Sequence, residues 1–218
     1  EMNTKQIFLC RDRVGVKPLF FHQYKTGLVF SSEIKSILAT GLVKPAVDEQ
    51  GLYEIFFMGP ARTPGCGVFK DIEELCPGEM ATYKNGRLHR EYYFRLEARE
   101  HTDNLEQTVE KTRFLITDSI KRQLVSDMPV CFFLSGGLDS SIISKVASNH
   151  YREKNRGRIH TYSVEYENNS KYFQKSLFQP NRDDDFIKIM VKNTHSIHHE
   201  VILNHQSLAD ALYDATVA

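Results

Sequence analysis

The sequence has 218 residues, enough for one large domain or two smaller ones. Its 28 basic and 28 acidic side chains cancel, so the overall charge gives no reason to expect nucleic acid or an anionic membrane as a partner. The hydrophobic fraction of 41% is ordinary for a globular protein. No apolar run approaches the roughly 20 residues that span a bilayer, and no secretory signal is visible.

The four cysteines are Cys10, Cys66, Cys76 and Cys131. None forms a C-x-x-C pair, so we expect reduced thiols in a cytoplasmic protein. Because Cys131 lies inside an apolar run, we expect its side chain in the core.

The first ninety-odd residues are predicted to be mainly strands and turns. Strand-like runs lie at 6–10, 18–24, 27–32, 79–83 and 87–93. The last two flank Asn85-Gly86, which is a strong hairpin signal.

Two short helices are expected in the same part of the chain. Ser32 is predicted to cap a helix over residues 33–39 that Gly41 ends. Asp48 is predicted to cap a second helix that reaches Gly59.

The second half of the chain alternates helices with strands. A polar linker is expected within 95–104, and Asp103 with Glu106 is predicted to cap the helix that follows. That helix places Leu105, Val109, Ile116, Ile120 and Leu124 on one face. The later strands are predicted at 129–134, 159–166 and 197–203, and the later helices at 140–150, 183–193 and 208–216. This alternation predicts a parallel sheet flanked by helices, and 167–181 receives no assignment.

The segment Ser135-Gly136-Gly137-Leu138-Asp139-Ser140-Ser141, here called the glycine loop, joins an apolar strand to a helix. Glycines let the backbone turn sharply, and the helix start aims free N–H groups and its positive dipole end at the same point. With the serine hydroxyls this forms a cradle for phosphate or pyrophosphate. A carboxylate at Asp139 suits such a site if Mg²⁺ lies between it and the phosphates.

The loop lacks the G-x-x-x-x-G-K-[ST] pattern, so it is not a Walker A loop. It resembles the pyrophosphate-binding loop of the ATP-pyrophosphatase superfamily, whose members adenylate a carboxylate or similar group. The structural alternative is an ordinary glycine-rich turn with serine caps.

Several further stretches resemble the glutamine-hydrolysing asparagine synthetases (the asparagine synthetase B family). They are Arg11–Leu19, Ser31–Ile37, Pro77–Glu79, Leu134 with the glycine loop, Ile159–Val164 and His198–Val201. The resemblance covers nearly the whole chain. It implies that residues 1–95 are the C-terminal portion of a glutaminase domain of the N-terminal-nucleophile type, with an α+β fold. Residues 96–218 would be the N-terminal portion of an α/β synthetase domain, an incomplete parallel sheet of the PP-loop (adenine nucleotide alpha hydrolase-like) type.

The resemblance also implies site residues, cofactors and substrates. Pyrophosphate and Mg²⁺ would be held by Ser135, Gly136, Gly137, Asp139, Ser140 and Ser141, with Ser135 and Asp139 serving catalysis and Asp139 the metal. Leu134 and Val164 would contact the adenosine of ATP at the carboxyl ends of neighbouring strands. The implied reaction is aspartate plus ATP giving β-aspartyl-adenylate, which ammonia from glutamine converts to asparagine. A homodimer is compatible with this resemblance.

The sequence departs from the family pattern at both ends. Residue 1 is Glu rather than the nucleophilic Cys, and the later S-G-E-G-S-D-E-type segment is absent. We therefore expect an internal piece of a longer protein that does not complete the reaction alone.

Other polar clusters have both a structural and a functional interpretation. Arg11, Asp12 and Arg13 fit an ion-pair cluster better than a ligand site. His195, His198, His199 and His205 suggest a metal, but adjacent strand residues face opposite ways, which favours a structural role. Asp183, Asp184 and Asp185 fit dipole complementarity at a helix start better than a Mg²⁺ site. In the unassigned loop, Asn168, Lys171, Tyr172 and Phe173 are candidates for substrate contact.

Two other functions remain open from the sequence. One is an amide ligase of the same superfamily that acts on another carboxylate, such as a β-lactam-forming synthetase. The other is a non-catalytic remnant that retains nucleotide binding.

Overall fold

A computed structural model describes residues 4–177 and 181–217. The chain divides into two compact units, residues 1–100 and residues 101–218. No helix in the described ranges is long and apolar enough to cross a membrane.

The first unit contains two three-stranded antiparallel sheets and two helices. Its elements in chain order are β1 (Ile7–Cys10), β2 (Phe20–Tyr24), β3 (Gly27–Ser31), α1 (Ile34–Ala39), α2 (Glu49–Phe57), β4 (Glu73–Glu74), β5 (Glu79–Lys84) and β6 (Arg87–Tyr92). The sheets have the orders β1-β5-β6 and β3-β2-β4. All five predicted strands are confirmed, including both hairpins. The two-residue strand β4 was missed because it is short and acidic.

Strand β2 supplies adjacent aromatic residues to two hydrophobic clusters. Phe21 packs with Leu9, Leu75 and Ala81. Phe20 packs in a second cluster with Ile37, Val43 and Ile72. Successive side chains of a strand point to opposite faces, so one strand can anchor both clusters. Each fully buried aromatic of this kind contributes about 1.5–3 kcal/mol.

The helix boundaries of this unit follow the predicted signals with one exception. Asp48 Oδ1 accepts a hydrogen bond from the Gly51 amide at 3.0 Å, which confirms the predicted cap. Gly41 has a φ of +71° just after α1, as expected for a helix end. The prediction for Ser32 was wrong, because α1 starts one residue later, with Glu33 at its N-cap and no side-chain cap bond.

The second unit alternates helices and strands. Its elements are α3 (Leu105–Gln123), β7 (Cys131–Phe133), α4 (Leu138–Glu153), β8 (His160–Tyr166), α5 (Asn169–Tyr172), α6 (Asp183–Thr194), β9 (Ile197–Leu203) and α7 (His205–Val217). Strands β7, β8 and β9 form a parallel sheet in that order, which confirms the predicted parallel sheet. Part of the stretch that received no assignment, residues 178–180, lies outside the described residues.

Helix α3 begins with a capping box one residue later than predicted. The Asn104 side chain accepts from the Gln107 amide at 2.9 Å, and the Gln107 side chain accepts from the Asn104 amide at 3.1 Å. Asp103 instead accepts a hydrogen bond from Lys111 Nζ at 2.7 Å. The Asp103–Glu106 pair was therefore wrong, because a one-residue shift moves the carboxylate out of reach of the free amides.

The core of the second unit contains Leu124, Phe132, Ala147 and Ile159. Phe132 is buried between two exposed neighbours in β7, so the strand shows the usual alternation of faces. Cys131 points away from this core and is exposed, so the prediction that it is buried was wrong.

Candidate functional site

The glycine loop leaves the carboxyl end of β7 and leads into α4. Leu134, just before the loop, is only 1% exposed, and its amide donates to the Tyr162 carbonyl at 2.8 Å. This bond extends the pairing with β8 one residue beyond the end of β7. The loop therefore begins from a fixed point on the sheet.

Gly136 can only be glycine in this turn. Its φ is +77°, a conformation that other residues rarely adopt. A Cβ on Gly136 would lie 2.7 Å from the Asp183 carbonyl oxygen and 3.2 Å from Phe186 Cβ. The turn is thus packed against the first turn of α6.

The hydroxyl of Ser140 holds the loop in shape. It accepts a hydrogen bond from the Ser135 amide at 3.2 Å and lies 3.1 Å from Ser135 Oγ. It also donates to the Gly137 carbonyl at 3.1 Å. The first backbone bond of α4 runs from the Ser141 amide to that same carbonyl. Amides before Ser141 in the helix start have no carbonyl within the helix to bond, so they face outward.

Asp139 lies in the first turn of α4 and is exposed. It lines a groove between α3 and α4, together with Ile116 and Ile142. Although Asp139 belongs to the glycine loop, it is not among the residues that line the cleft described next.

An open cleft of about 380 Å³ lies beside the loop. It is lined by Phe133, Leu134, Ser135, Tyr162, Ser163, Val164, Glu165, Tyr166, Asn169, Phe173, Arg182, Asp183 and Ile187. Five of the residues singled out in the sequence are in this lining, namely Leu134, Ser135, Val164, Phe173 and Asp183. The cleft lies at the carboxyl ends of β7 and β8, the usual ligand side of a parallel sheet.

Two charged residues of this cleft were not singled out from the sequence. Glu165 Oε1 and Arg182 Nε are buried and have no hydrogen-bond partner among the described residues. Arg182 Nη2 donates to Asp184 Oδ2 at 2.6 Å. The position of Glu165 directly after Val164, at a strand end, is the signal that could have identified it.

The acidic run at the start of α6 has divided roles. Asp184 forms ion pairs with Arg182 and, at 3.7 Å, with Lys188. Asp183 lines the cleft. All three acids lie in the first turn of the helix, where they complement its dipole.

The loop after β8 brings only part of its candidates to the cleft. Asn168 has a left-handed backbone, with a φ of +62°, and precedes α5. Lys171 and Tyr172 are exposed, and the Lys171 Nζ lies 5.3 Å from the Tyr172 ring centroid. Phe173 therefore is the candidate of this loop that contacts the cleft.

The histidines of β9 face opposite sides of the sheet, as predicted. His198 lies 3.0 Å from Thr161 Oγ1 and 3.1 Å from Ser163 Oγ, and burial, together with the nearby His199, lowers its pKa. His199 lies on the other face, with Nε2 3.0 Å from His160 Nδ1. Within the described ranges no group of three His, Cys, Asp or Glu side chains is placed to hold a metal ion.

The charged turn of the first unit is also structural. Arg11 is buried, with Nη2 3.0 Å from Glu74 Oε1 and Nη1 2.5 Å from the Leu75 carbonyl. Asp12 accepts from the Val16 amide at 2.9 Å and from the Lys17 amide at 2.8 Å. The predicted ion pair is thus confirmed for Arg11, whereas Asp12 binds backbone amides.

The chain matches two protein families in sequence. Residues 1–94 match the glutamine amidotransferase domain, and residues 111–218 match asparagine synthase. The glutamine-hydrolysing asparagine synthetase 3 of Bacillus subtilis strain 168 is 45% identical across 97% of this chain and 34% of that protein. Asparagine synthetase 2 of the same organism is 30% identical across 93% of the chain and 27% of that protein.

A relative with a different name is the amidase chyE of Penicillium rubens, 29% identical across 70% of this chain and 23% of that protein. The chain spans about a third or less of the length of these curated relatives. The two family matches follow one another along the chain in the order that the motifs predict, with residues 95–110 between them. The chain therefore belongs to the family of glutamine-hydrolysing asparagine synthetases.

Proposed function

We propose that the protein containing this chain makes asparagine from aspartate and ATP, with nitrogen taken from glutamine. The proposed route passes through a β-aspartyl-adenylate and releases AMP and pyrophosphate. The observation that carries the proposal is the glycine loop at the carboxyl end of β7, beside the open cleft. The boundary between the glutaminase and synthetase parts would lie within the polar stretch 95–104.

The loop would bind the pyrophosphate part of ATP. Donors for the phosphate oxygens would come from the outward-facing amides at the start of α4 and from the hydroxyls of Ser135 and Ser141. Ser140 would contribute by holding the loop in shape, because its one O–H donates to the Gly137 carbonyl. Gly136 and Gly137 would allow the backbone to approach the ligand closely. Leu134 and Val164, which line the cleft, would contact the adenosine.

Asp139 would be the residue of the loop that holds Mg²⁺. Its exposed carboxylate is the hard oxygen ligand that this ion prefers, usually together with phosphate oxygens and water. When bound, the ion would neutralise charge on the leaving pyrophosphate. The groove position of Asp139 leaves its carboxylate free to move, because no hydrogen bond fixes it among the described contacts.

Catalysis of adenylation would consist mainly of positioning and charge stabilisation. A side-chain carboxylate oxygen of aspartate would attack the α-phosphorus of ATP, and the bond from that phosphorus to the pyrophosphate oxygen would break. The amides and hydroxyls of the loop would stabilise the negative charge that develops on pyrophosphate. Ammonia would then attack the acyl carbon, and AMP would leave.

The test is ATP–pyrophosphate exchange by the full-length gene product with a panel of carboxylic acids. We expect aspartate to support exchange and Asp139→Asn to reduce it by about 100-fold or more, the scale of a lost electrostatic contact in a transition state. Asp127→Asn, an exposed change just before β7, is the matched control and should retain exchange. Exchange with a different acid and none with aspartate would contradict the proposed substrate. Full exchange by Asp139→Asn would contradict the role of that residue.

A further inference from the structure

Glu165 is placed to face a ligand in the cleft. It is the sixth residue of β8 and shares a face with Thr161 and Ser163, which are both buried. Its neighbour Val164 is on the opposite face and is 48% exposed. Residues 161, 163 and 165 point the same way, and Glu165 lines the cleft together with Asp183 and Ile187 of α6.

The carboxylate of Glu165 lacks the hydrogen bonds that a buried oxygen needs. Its Oε1 is buried without a partner in the described part of the chain. Leaving such a group unsatisfied costs about 1–3 kcal/mol, so it requires an explanation. A donor supplied by the ligand would remove this cost.

The neighbouring cation does not neutralise Glu165. Arg182 lines the same cleft, but its Nη2 is bound to Asp184 at 2.6 Å, and its Nε is buried without a partner. The Arg182 charge is therefore directed to α6. No ion pair of Glu165 is present among the described residues, so its carboxylate remains available as a hydrogen-bond acceptor.

The charge of Glu165 selects which part of ATP it can face. A carboxylate would repel the phosphates, which the loop after β7 would hold. Phe133 pairs with Tyr162, so Glu165 lies beyond the level of Ser135 on the neighbouring strand, and neighbouring strands are about 4.8 Å apart. The uncharged nucleoside next to the phosphates offers two kinds of donor, the ribose hydroxyls and the amino group of adenine.

We propose that Glu165 accepts a hydrogen bond from the nucleoside part of ATP and so contributes to the choice of nucleotide. This inference rests on the proposed function, because it requires ATP in the cleft. It adds a specificity residue on β8 to the phosphate-binding residues of the glycine loop.

The experiment measures binding of ATP and of pyrophosphate by calorimetry to the full-length gene product. We expect Glu165→Ala to weaken ATP binding by about tenfold, the value of a hydrogen bond to a charged group, and to leave pyrophosphate binding within about twofold. Glu165→Gln keeps the shape of the side chain and one acceptor oxygen, so it should weaken ATP binding less than Glu165→Ala does. Glu167→Gln is the matched control, since Glu167 is exposed beyond the strand and does not line the cleft.

Three analogues identify the donor: 2′-deoxy-ATP, 3′-deoxy-ATP and purine riboside triphosphate, which lacks the amino group. The analogue that lacks the relevant donor should bind the wild type and Glu165→Gln equally, while the others still discriminate. Unchanged ATP affinity in Glu165→Ala would overturn the inference and leave the proposed function intact. The same holds if only aspartate binding is lost, which would assign Glu165 to the amino acid. A wild type that binds neither ATP nor pyrophosphate would overturn the proposed function itself.

Discussion

Two polar clusters, one in each unit, use their hydrogen-bonding groups in opposite ways. In the first unit, Glu79 is 4% exposed and is held by Arg90 through two hydrogen bonds, at 2.7 and 2.8 Å. In the second unit, the serines of the glycine loop bind one another, and Glu165 Oε1 has no partner among the described residues. In the first cluster the donors and acceptors of Arg90 and Glu79 bind each other. In the second, polar groups of Ser135 and Glu165 line an open cleft.

This difference distinguishes structural polar residues from candidate ligand-binding ones more clearly than residue type does. Arg11 and Arg13 fit an ion-pair cluster better than a ligand site in the sequence, and in the structure Arg11 is in a buried ion pair and the Arg13 guanidinium lies 5.3 Å from the centroid of the Phe94 ring. Glu165 was not singled out from the sequence, yet its Oε1 is buried without a hydrogen-bond partner among the described residues. A polar residue is therefore a better candidate for a site when its polar atoms have no hydrogen-bond or ion-pair partner within the protein.

The largest expected effect comes from adding a side-chain atom where the glycine loop packs against α6. Gly136→Ala would place a Cβ 2.7 Å from the Asp183 carbonyl in a left-handed turn. We expect a loss of about 3 kcal/mol in stability, from strain and overpacking together, and loss of pyrophosphate binding. Urea unfolding and calorimetry would measure both.

Gly157→Ala is the matched control for that change. Gly157 also has a positive φ, +83°, but no atom lies within 4 Å of the added Cβ. The Gly157→Ala variant should lose only about 1 kcal/mol of stability, because of backbone strain alone, and should bind pyrophosphate as the wild type does. Equal losses in the two variants would show that the contact with α6 does not matter.

The next largest effect concerns the closed polar cluster of the first unit. Burial raises the pKa of Glu79, but the hydrogen bonds from Arg90 and the Cys76 amide outweigh it, so the pKa lies below the ordinary value. Arg90→Ala should destabilise the protein by about 2 kcal/mol at neutral pH, less than a fully buried pair would lose, because the guanidinium is partly exposed. Urea unfolding measures the loss. Arg87→Ala, an exposed change on the same strand, should lie within about 0.5 kcal/mol of the wild type, and a similar loss there would contradict this account.

A smaller effect is expected from the serine that holds the loop. Ser140→Ala removes the acceptor for the Ser135 amide and the donor to the Gly137 carbonyl. Pyrophosphate affinity should fall several-fold, which corresponds to a loss of about 1 kcal/mol in binding free energy. Calorimetric titration measures it. Ser126→Ala is the control, since that hydroxyl accepts from the Met128 amide outside the loop, and unchanged affinity in both variants would argue against the cradle.

The smallest effect is a pH dependence at Asp12. Hydrogen bonds from the backbone amides of Lys17 and Val16 lower its pKa. The stability it contributes is therefore present above the ordinary carboxyl pKa and is lost as the pH falls through the lowered value. Asp12→Ala should be less stable than the wild type at pH 7, and urea unfolding should show the gap closing in acid. A gap of constant size at all pH values would show that the charge is not responsible.

The sequence was sufficient to predict most elements, because their signals are local. The hairpin at Asn85-Gly86, the Asp48 cap and the strand Ile197–Leu203 each depend on a few neighbouring residues. The short strand β4 and the exposure of Cys131 were missed, since both depend on what packs nearby rather than on local pattern. Glu165 and Arg182 were missed for the same reason, because 17 positions separate them in the sequence and only the fold brings both to one cleft.

The most direct test of the account follows the oxygen atoms of aspartate. The full-length gene product would be supplied with ATP, glutamine and aspartate whose side-chain carboxylate carries oxygen-18, and the products would be analysed by mass spectrometry. If the carboxylate attacks the α-phosphorus, one oxygen-18 atom should appear in AMP and none in pyrophosphate. AMP without the label, or label in inorganic phosphate, would contradict adenylation of aspartate at this site.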